Sequence, residues 1–313
     1  MGGGAATPFR ARDRRGAMPR VVAVILNWNG RDKTRACVES LLKSTAPCDV
    51  LVVDNGSTEC APQDLVAGLD AKLLVNHENE HFARGMNRGL DAALDAKADF
   101  VWALNNDVVV EPGALAALLA AMASDPACAI AAPLVVDGRT GRLSNAGGRL
   151  SLARARTWHL HEGIDAPPGA APYPADYVEG SAPLLRADDL RAQAGFDPAY
   201  VAYWEDVDWC LTARSRGRRA LVVPGARVLH DVSGSSGVHS AYALYHRARN
   251  RYRCVRKHGT LAQRVAAPVA TLAELPLDCY HLRRASGGWA APRAWLRGTM
   301  HGLVGISGRR RWA

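Results

Sequence analysis

Four largely apolar runs each end in a polar side chain able to bind a ligand, and this pattern constrains the fold more than any other feature. Residues 21–26 stop at Asn27-Trp28-Asn29-Gly30 and residues 50–53 at Asp54-Asn55-Gly56. Residues 100–104 stop at Asn105-Asn106-Asp107, and residues 221–229 at His230. Such runs read as strands buried on both faces, as in a parallel sheet. Between them lie segments of helical period. Asp32 caps one that runs through residue 45, with Cys37, Val38, Leu41 and Leu42 at helical spacing, and Met86, Leu90 and Leu94 mark a face of another beginning near Ala83. Strand, loop, helix, strand opens a doubly wound α/β sheet, whose ligands bind beyond the carboxyl ends of the strands. The expected class is therefore α/β, a mostly parallel sheet flanked by helices.

The pattern continues with a short strand at 73–75 and a helix opened by Pro112 and running to about residue 122. Gly and Pro punctuation over 134–177 predicts strands and long loops, and helices are expected at 188–194 and 205–216, stopped by Gly195 and Gly217. Beyond Gly237 a long Arg-rich helix is expected to Lys257, followed by further helical pieces. The chain divides into a basic disordered tail (1–20), a catalytic body (21–240) and a basic helical C-terminal extension (241–313).

Charge supports this division. The net +9 of the 313 residues splits into +4 over residues 1–20, +12 over 241–313 and −7 between them. An acidic body with basic ends is unlike a nucleic-acid-binding domain, where basic residues stripe the folded face that meets phosphate. Trp289, Trp295 and Trp312 alternate with Arg283, Arg284, Arg293, Arg297, Arg309, Arg310 and Arg311. That mixture suits either the headgroup zone of an anionic membrane or a solvated basic face with core-packing aromatics. Residues 265–282 are apolar but broken by Glu274, Pro276 and Asp278, so no spanning helix is expected. Seven cysteines without a CxxC pair argue against a disulfide framework or structural zinc, and fit a reducing cytosol.

Chemistry concentrates in Trp204-Glu205-Asp206-Val207-Asp208-Trp209, three carboxylates and two indoles in one turn. Acids at a helix N-terminus are stabilising by up to about 1 kcal/mol each, but two adjacent acids between indoles exceed what capping needs. Indoles make platforms for sugar rings. Asp107 and His230, each at the end of a buried run, suit a Mg²⁺ or Mn²⁺ whose octahedron phosphate oxygens and water complete. Asp54, Asn27 and Asn29 would be ordinary turn residues singly, and become a nucleotide cleft if neighbouring parallel strands bring them together. No GxGxxG follows the first strand and no P-loop occurs, so neither of those nucleotide sites is supported.

In order along the chain, Asn27-Trp28-Asn29, VVDNGST ending at Thr58, FARGMNRGL from Phe82, LNNDV from Leu104, YWEDVDWCLTARSRG from Tyr203, VPGARVLH ending at His230 and RARNR around Asn250 resemble the motifs of family 2 inverting glycosyltransferases. The nearest likeness is to the rhamnosyltransferase and galactofuranosyltransferase branch, over residues 21–258. The resemblance implies a GT-A fold and a divalent metal, Mg²⁺ or Mn²⁺, held by Asp107 and His230. It also implies Asp206 as catalytic base with Glu205 beside it at the acceptor site, and nucleotide contacts from Asn27, Asp54, Asn55 and Asn105. Arg249 would stand near the diphosphate, and Trp204 and Asp208 would meet the acceptor. The chain departs from the family pattern at Asn105, the first position of the DxD-type motif, and at Arg84, where glycine is usual.

The implied activity moves a sugar, rhamnose or a related one, from a nucleoside-diphosphate donor to an acceptor hydroxyl on a cell-surface glycan or polyprenyl-diphosphate-linked precursor. Its place would be the cytoplasm, with peripheral contact at the inner face of the plasma membrane. Two other readings compete. A nucleotidyltransferase would also present a nucleotide to a metal on an α/β sheet, but usually carries a Gly-rich basic loop after the first strand, which Asn27 to Gly30 is not. A non-catalytic, basic membrane or nucleic-acid binder would bind with steep salt dependence and be indifferent to alanine at Asp107, Asp206 and His230.

Overall fold

A computed structural model describes residues 18–165, 169–230 and 240–308. The expected tail over 1–20 therefore falls mostly outside the described residues, as do Arg309, Arg310, Arg311 and Trp312. The elements begin with β1 (Val21–Asn27), α1 (Arg31–Leu42), β2 (Asp49–Asp54), β3 (Lys72–Val75), α2 (His81–Asp95), β4 (Phe100–Asn105), β5 (Val108–Val110) and α3 (Ala114–Ser124). Then follow β6 (Cys128–Asp137), β7 (Leu143–Asn145), β8 (Gly148–Ser151), β9 (Arg156–His159), β10 (Tyr173–Ala175), β11 (Leu184–Arg186), α4 (Ala187–Gln193), α5 (Glu205–Ser215) and β12 (Arg219–His230). Three helices close the described chain: α6 (Ala241–His258), α7 (Leu261–Ser286) and α8 (Ala290–Leu303).

The main sheet runs in the order β10, β12, β6, β11, β4, β1, β2, β3, with β5 on β12 and β7 on β6. From β4 to β3 the strands are parallel, while β11 runs antiparallel to both of its neighbours. Alternate residues of β1 explain the layering. Val22 and Val24 point into a core with Met86 and Leu90 of α2 and Val207 and Trp209 of α5. Val21, Ala23 and Ile25 point the other way, onto Cys37 and Leu41 of α1 and Leu115 and Leu118 of α3. Strand period and helix period thus produce a sheet with apolar layers on both faces.

Gly89 brings α2 close to the sheet. A Cβ there would stand 2.3 Å from Val24 Cγ1 and 2.7 Å from Val53 Cγ2. Gly56, in the loop after β2, has φ +71°, and a Cβ would meet the backbone of Glu78 at 2.5 Å. Both glycines belong to motifs singled out above.

The start of β6 carries no strand signature in the sequence. Cys128-Ala129-Ile130-Ala131-Ala132 is poor in β-branched residues and runs into Pro133, yet β6 is buried along nearly its whole length. Pro133 is tolerated because it faces Val223 at the step where the register to β12 slips, Leu134 facing Arg227. The helix expected from Pro112 begins at Ala114, after a turn in which Ala114 N–H donates to Glu111 O at 3.0 Å. The expected start of the Arg-rich helix falls in 231–239, outside the described residues. Residues 265–282 are not interrupted: α7 is one helix containing Pro268 and Pro276. Among the described residues no helix is long and apolar enough to cross a membrane.

Candidate active site

The carboxyl ends of β1, β2 and β4 form one edge, with Asn27 in register with Asp54 and Leu26 with Asn105. Asn27 is buried and donates from Nδ2 to Asp54 Oδ1 at 2.9 Å and to Ser57 Oγ at 3.0 Å. Its Oδ1 accepts from Thr34 Oγ1 at 2.8 Å and from Asn106 Nδ2 at 3.1 Å. Asp54, fully buried, also accepts from Ser57 Oγ at 2.5 Å. These groups fix the loops that follow β1 and β2.

Asp107 lies in the two-residue turn between β4 and β5, and β5 pairs antiparallel with the end of β12 so that Val108 faces His230. That register brings together two residues far apart in sequence. His230 Nε2 stands 3.0 Å from Asp107 Oδ1, with both side chains largely shielded from solvent. An octahedral divalent ion with bonds of about 2.1 Å sets adjacent donors roughly 3 Å apart, so this oxygen–nitrogen pair fits one edge of such a coordination shell.

Asp206 occupies the first turn of α5, where the helix dipole favours negative charge. Its Oδ2 accepts from Gly180 N–H at 3.0 Å and its Oδ1 from Val207 N–H at 2.7 Å. The next residue, Ser181, accepts through its carbonyl from Asn105 N–H at 2.9 Å. Residues 180 and 181 thus tie Asp206 to the end of β4, two positions before Asp107. Burial pushes the Asp206 carboxyl up to about 6, Glu179 adds to the rise, and the hydrogen bonds from Val207 and Gly180 oppose it. A carboxylate so placed is ionised at neutral pH yet basic enough to take a proton.

Glu205 is more deeply buried, and burial with the adjacent Asp206 raises its carboxyl well above the ordinary range. Among the described residues, no hydrogen-bond partner reaches its Oε2. Burial thus disfavours the charged form of this carboxyl.

Four expected contacts are built differently. Asp208 lies two residues beyond Asp206, about 200° around the helix, and so faces the other way. It is buried against Tyr200 Oη at 3.0 Å, Lys257 Nζ at 2.7 Å and His258 Nε2 at 2.7 Å, which makes it a tie between α5 and α6 rather than an acceptor contact. Trp204 is not an open platform: its ring packs into the core on the α2 side of the sheet. Asn55 spends its whole amide on the loop wall, accepting from Asn76 Nδ2 and Glu80 N–H and donating to Asn79 Oδ1 and His81 O, which leaves nothing for a ribose. Arg249 is buried and donates to the carbonyls of Gly308 and Tyr200 at 2.8 and 2.9 Å, so its guanidinium is not turned toward a diphosphate.

Arg249 and its neighbour Asn250 instead clamp the approach to α5. Val201, Tyr203 and Trp204 all have left-handed φ, +71°, +68° and +75°, a conformation costly for a β-branched or aromatic residue. Asn250 Nδ2 reaches the carbonyls of Tyr200, Ala202 and Tyr203 at 2.7 to 2.8 Å. We expect Asn250→Ala to cost about 1–3 kcal/mol, read as a lowered denaturant midpoint, because buried carbonyls on a strained segment lose their donor. An unchanged midpoint would show that the segment holds itself. Neither the Asn250 clamp nor the link through Glu179, Gly180 and Ser181 is visible in the sequence, since a short polar stretch before a three-residue strand carries no periodic signal.

Residues 22–174 match the family described as Glycosyl transferase family 2. The chain is 29% identical, over 281 residues and 83% of each chain, to N-acetylglucosaminyl-diphospho-decaprenol L-rhamnosyltransferase of Mycobacterium tuberculosis. Among solved structures it resembles the mannosyltransferase PcManGT of Pyrobaculum calidifontis in complex with GDP-Man and Mn²⁺ (TM-score 0.55, 15% identity, 95% of this chain and 90% of that one). It also resembles residues 1–349 of TarS from S. aureus (TM-score 0.56, 14% identity, 92% and 83%). With the sheet order, the structural likenesses give the chain a GT-A type fold, and residues 22–174 carry the match to Glycosyl transferase family 2.

Proposed function

We propose that this enzyme moves rhamnose, with inversion, from a nucleoside-diphosphate donor to a hydroxyl of a polyprenyl-diphosphate-linked N-acetylglucosamine at the cytoplasmic face of a membrane. The sugar and acceptor follow the mycobacterial relative, which is named for them. The observation that carries the chemistry is Asp206: a carboxylate raised to about 6 and fixed by Gly180 beside the strand end that leads to Asp107. Asp206 takes the proton of the acceptor hydroxyl as that oxygen bonds to the anomeric carbon, while the bond from that carbon to the diphosphate oxygen breaks. The nucleoside diphosphate departs with the bonding pair, and attack opposite the leaving group inverts the centre. Glu205 lies buried beside it at the acceptor side, where burial disfavours its charged form.

Asp107 and His230 would hold a Mg²⁺ or Mn²⁺ that offsets the charge gathering on the leaving diphosphate. Among the described residues no group of three or more His, Cys, Asp or Glu side chains could hold a metal. Such an ion would rest on this pair, with water and phosphate oxygens as its other ligands. Asn27, Asp54 and Asn105 shape the nucleotide side of the cleft.

The test is nucleoside diphosphate release from a panel of nucleotide sugars, with a polyprenyl-diphosphate N-acetylglucosamine acceptor, in Mg²⁺, Mn²⁺ or chelator. We expect acceptor-dependent release that is fastest with a rhamnose donor. Chelator should lower it at least about tenfold, and added Mn²⁺ should restore it. Release from no donor would overturn the transferase reading, a faster non-rhamnose donor would overturn the sugar, and indifference to chelator would overturn the metal.

A further inference from the structure

The outer side of α7 is an exposed apolar stripe with nothing in the described structure packed on it. Leu261, Val265, Val269, Leu272 and Tyr280 recur every three, four or eight residues along one side of the helix, and each is more than half exposed, from 79% at Leu261 to 58% at Tyr280. Soluble surfaces rarely leave so long an apolar row open without a partner. The stripe ends in Arg283 and Arg284, and the Arg283 guanidinium lies 4.7 Å from the centre of the half-exposed Trp289 ring.

Charge decides what can cover it. Residues 241–313 contain only two acids, Glu274 and Asp278. Both turn inward: Glu274 pairs with Arg154 and Arg156, and Asp278 with Arg156 at 2.9 Å. The outward side of α7 is therefore apolar and cationic, with no carboxylate on it. A second copy of the chain would bring the same arginines together with no acid to meet them. An anionic lipid surface offers both what the stripe lacks, negative charge for Arg283 and Arg284 and an acyl boundary for the valines and leucines.

We propose that α7 lies flat in the interface of an anionic bilayer, its Leu261–Val265–Val269–Leu272–Tyr280 side toward the acyl chains and Arg283 and Arg284 among the headgroups. This deepens the reading of a lipid-linked acceptor, because it places the enzyme at the surface that holds such a substrate. Its test needs neither donor nor acceptor, so the two readings fail separately.

The experiment is flotation of the full chain with vesicles of phosphatidylcholine alone or with phosphatidylglycerol, comparing wild type with Val265→Glu/Leu272→Glu and with Arg283→Glu/Arg284→Glu. Wild type should float only with the anionic vesicles. The arginine variant should lose affinity roughly 20-fold or more, at about fivefold for each positive charge removed. The apolar variant should lose it comparably, and both should keep the wild-type melting temperature since the changed side chains face solvent. Wild-type protein that ignores anionic vesicles, or variants that float as well as wild type, would overturn the proposal. So would a dimer in light scattering that Val265→Glu/Leu272→Glu disperses while vesicle binding stays absent.

Discussion

Asp206→Asn should abolish sugar transfer, lowering kcat by about 10²–10⁴-fold, the range removed with a positioned general base, while donor affinity is held. The amide is nearly isosteric and can still accept from one of the two N–H groups that hold the carboxylate, from Gly180 and Val207. It cannot take a proton. Because the base must be ionised, wild-type kcat should fall as pH drops through about 6, and this acid limb should vanish from the residual activity of the variant. The limb belongs to the Glu205–Asp206 pair, whose protons are coupled.

The same shift sets the sign for stability. A carboxyl whose folded value lies above its unfolded value is held more tightly as the neutral acid, so the ionised form costs the fold stability above pH 6. Replacing it with a neutral amide removes that cost and gives up one hydrogen bond, so the two changes oppose each other. The variant should melt near wild type, which separates lost chemistry from lost structure. Turnover unchanged in Asp206→Asn, or an acid limb that persists in it, would remove Asp206 as the base.

What the sequence disclosed and what it hid divide along the kind of physics involved. The runs at β1, β2 and β4 were legible because burial on both faces leaves a nearly unbroken apolar signature, whereas β12 is interrupted by Pro224, Gly225 and Arg227 and is buried chiefly over its first half. Asp107 and His230 meet because β5 pairs with the end of β12, a register that the two separate strand signals do not encode. The orientation of α5 was equally hidden. Three acids in one turn read as a single cluster, but the helix sends Asp206 toward Gly180 and Asp208 toward α6, so the acids do not share one environment. Arg249 and Asn250 carry a family motif yet spend their donors on backbone carbonyls, because the chain before α5 takes left-handed turns that no local composition announces. In α7 the sequence shows two acids inside an apolar stretch, and only the packing shows that both face the body.

Asp208→Ala should destabilise the fold strongly, by about 3 kcal/mol, the lower end of the range for breaking a buried ion pair. The lower end applies because Lys257 is 41% exposed, where water screens its share of the pairing, while Asp208 itself is almost wholly buried. Alanine would leave the Tyr200 hydroxyl and the His258 ring without their acceptor inside the contact between α5 and α6. The clamped segment at 199–204 leans on that contact, so the damage should reach catalysis as well as the denaturant midpoint. pH gives an independent check. Burial alone would raise the Asp208 carboxyl, but hydrogen bonds from His258 and Lys257 outweigh it and hold it below the usual range. Its contribution is thus present above the unfolded carboxylate value of about 3.9 and is lost as pH falls through the lower folded value. Urea titrations should therefore show a wide gap between wild type and Asp208→Ala at pH 7 that narrows below about pH 4. Had Asp208 been an acceptor contact, the variant would keep the wild-type midpoint and raise only the acceptor KM, and that outcome would return it to the active site.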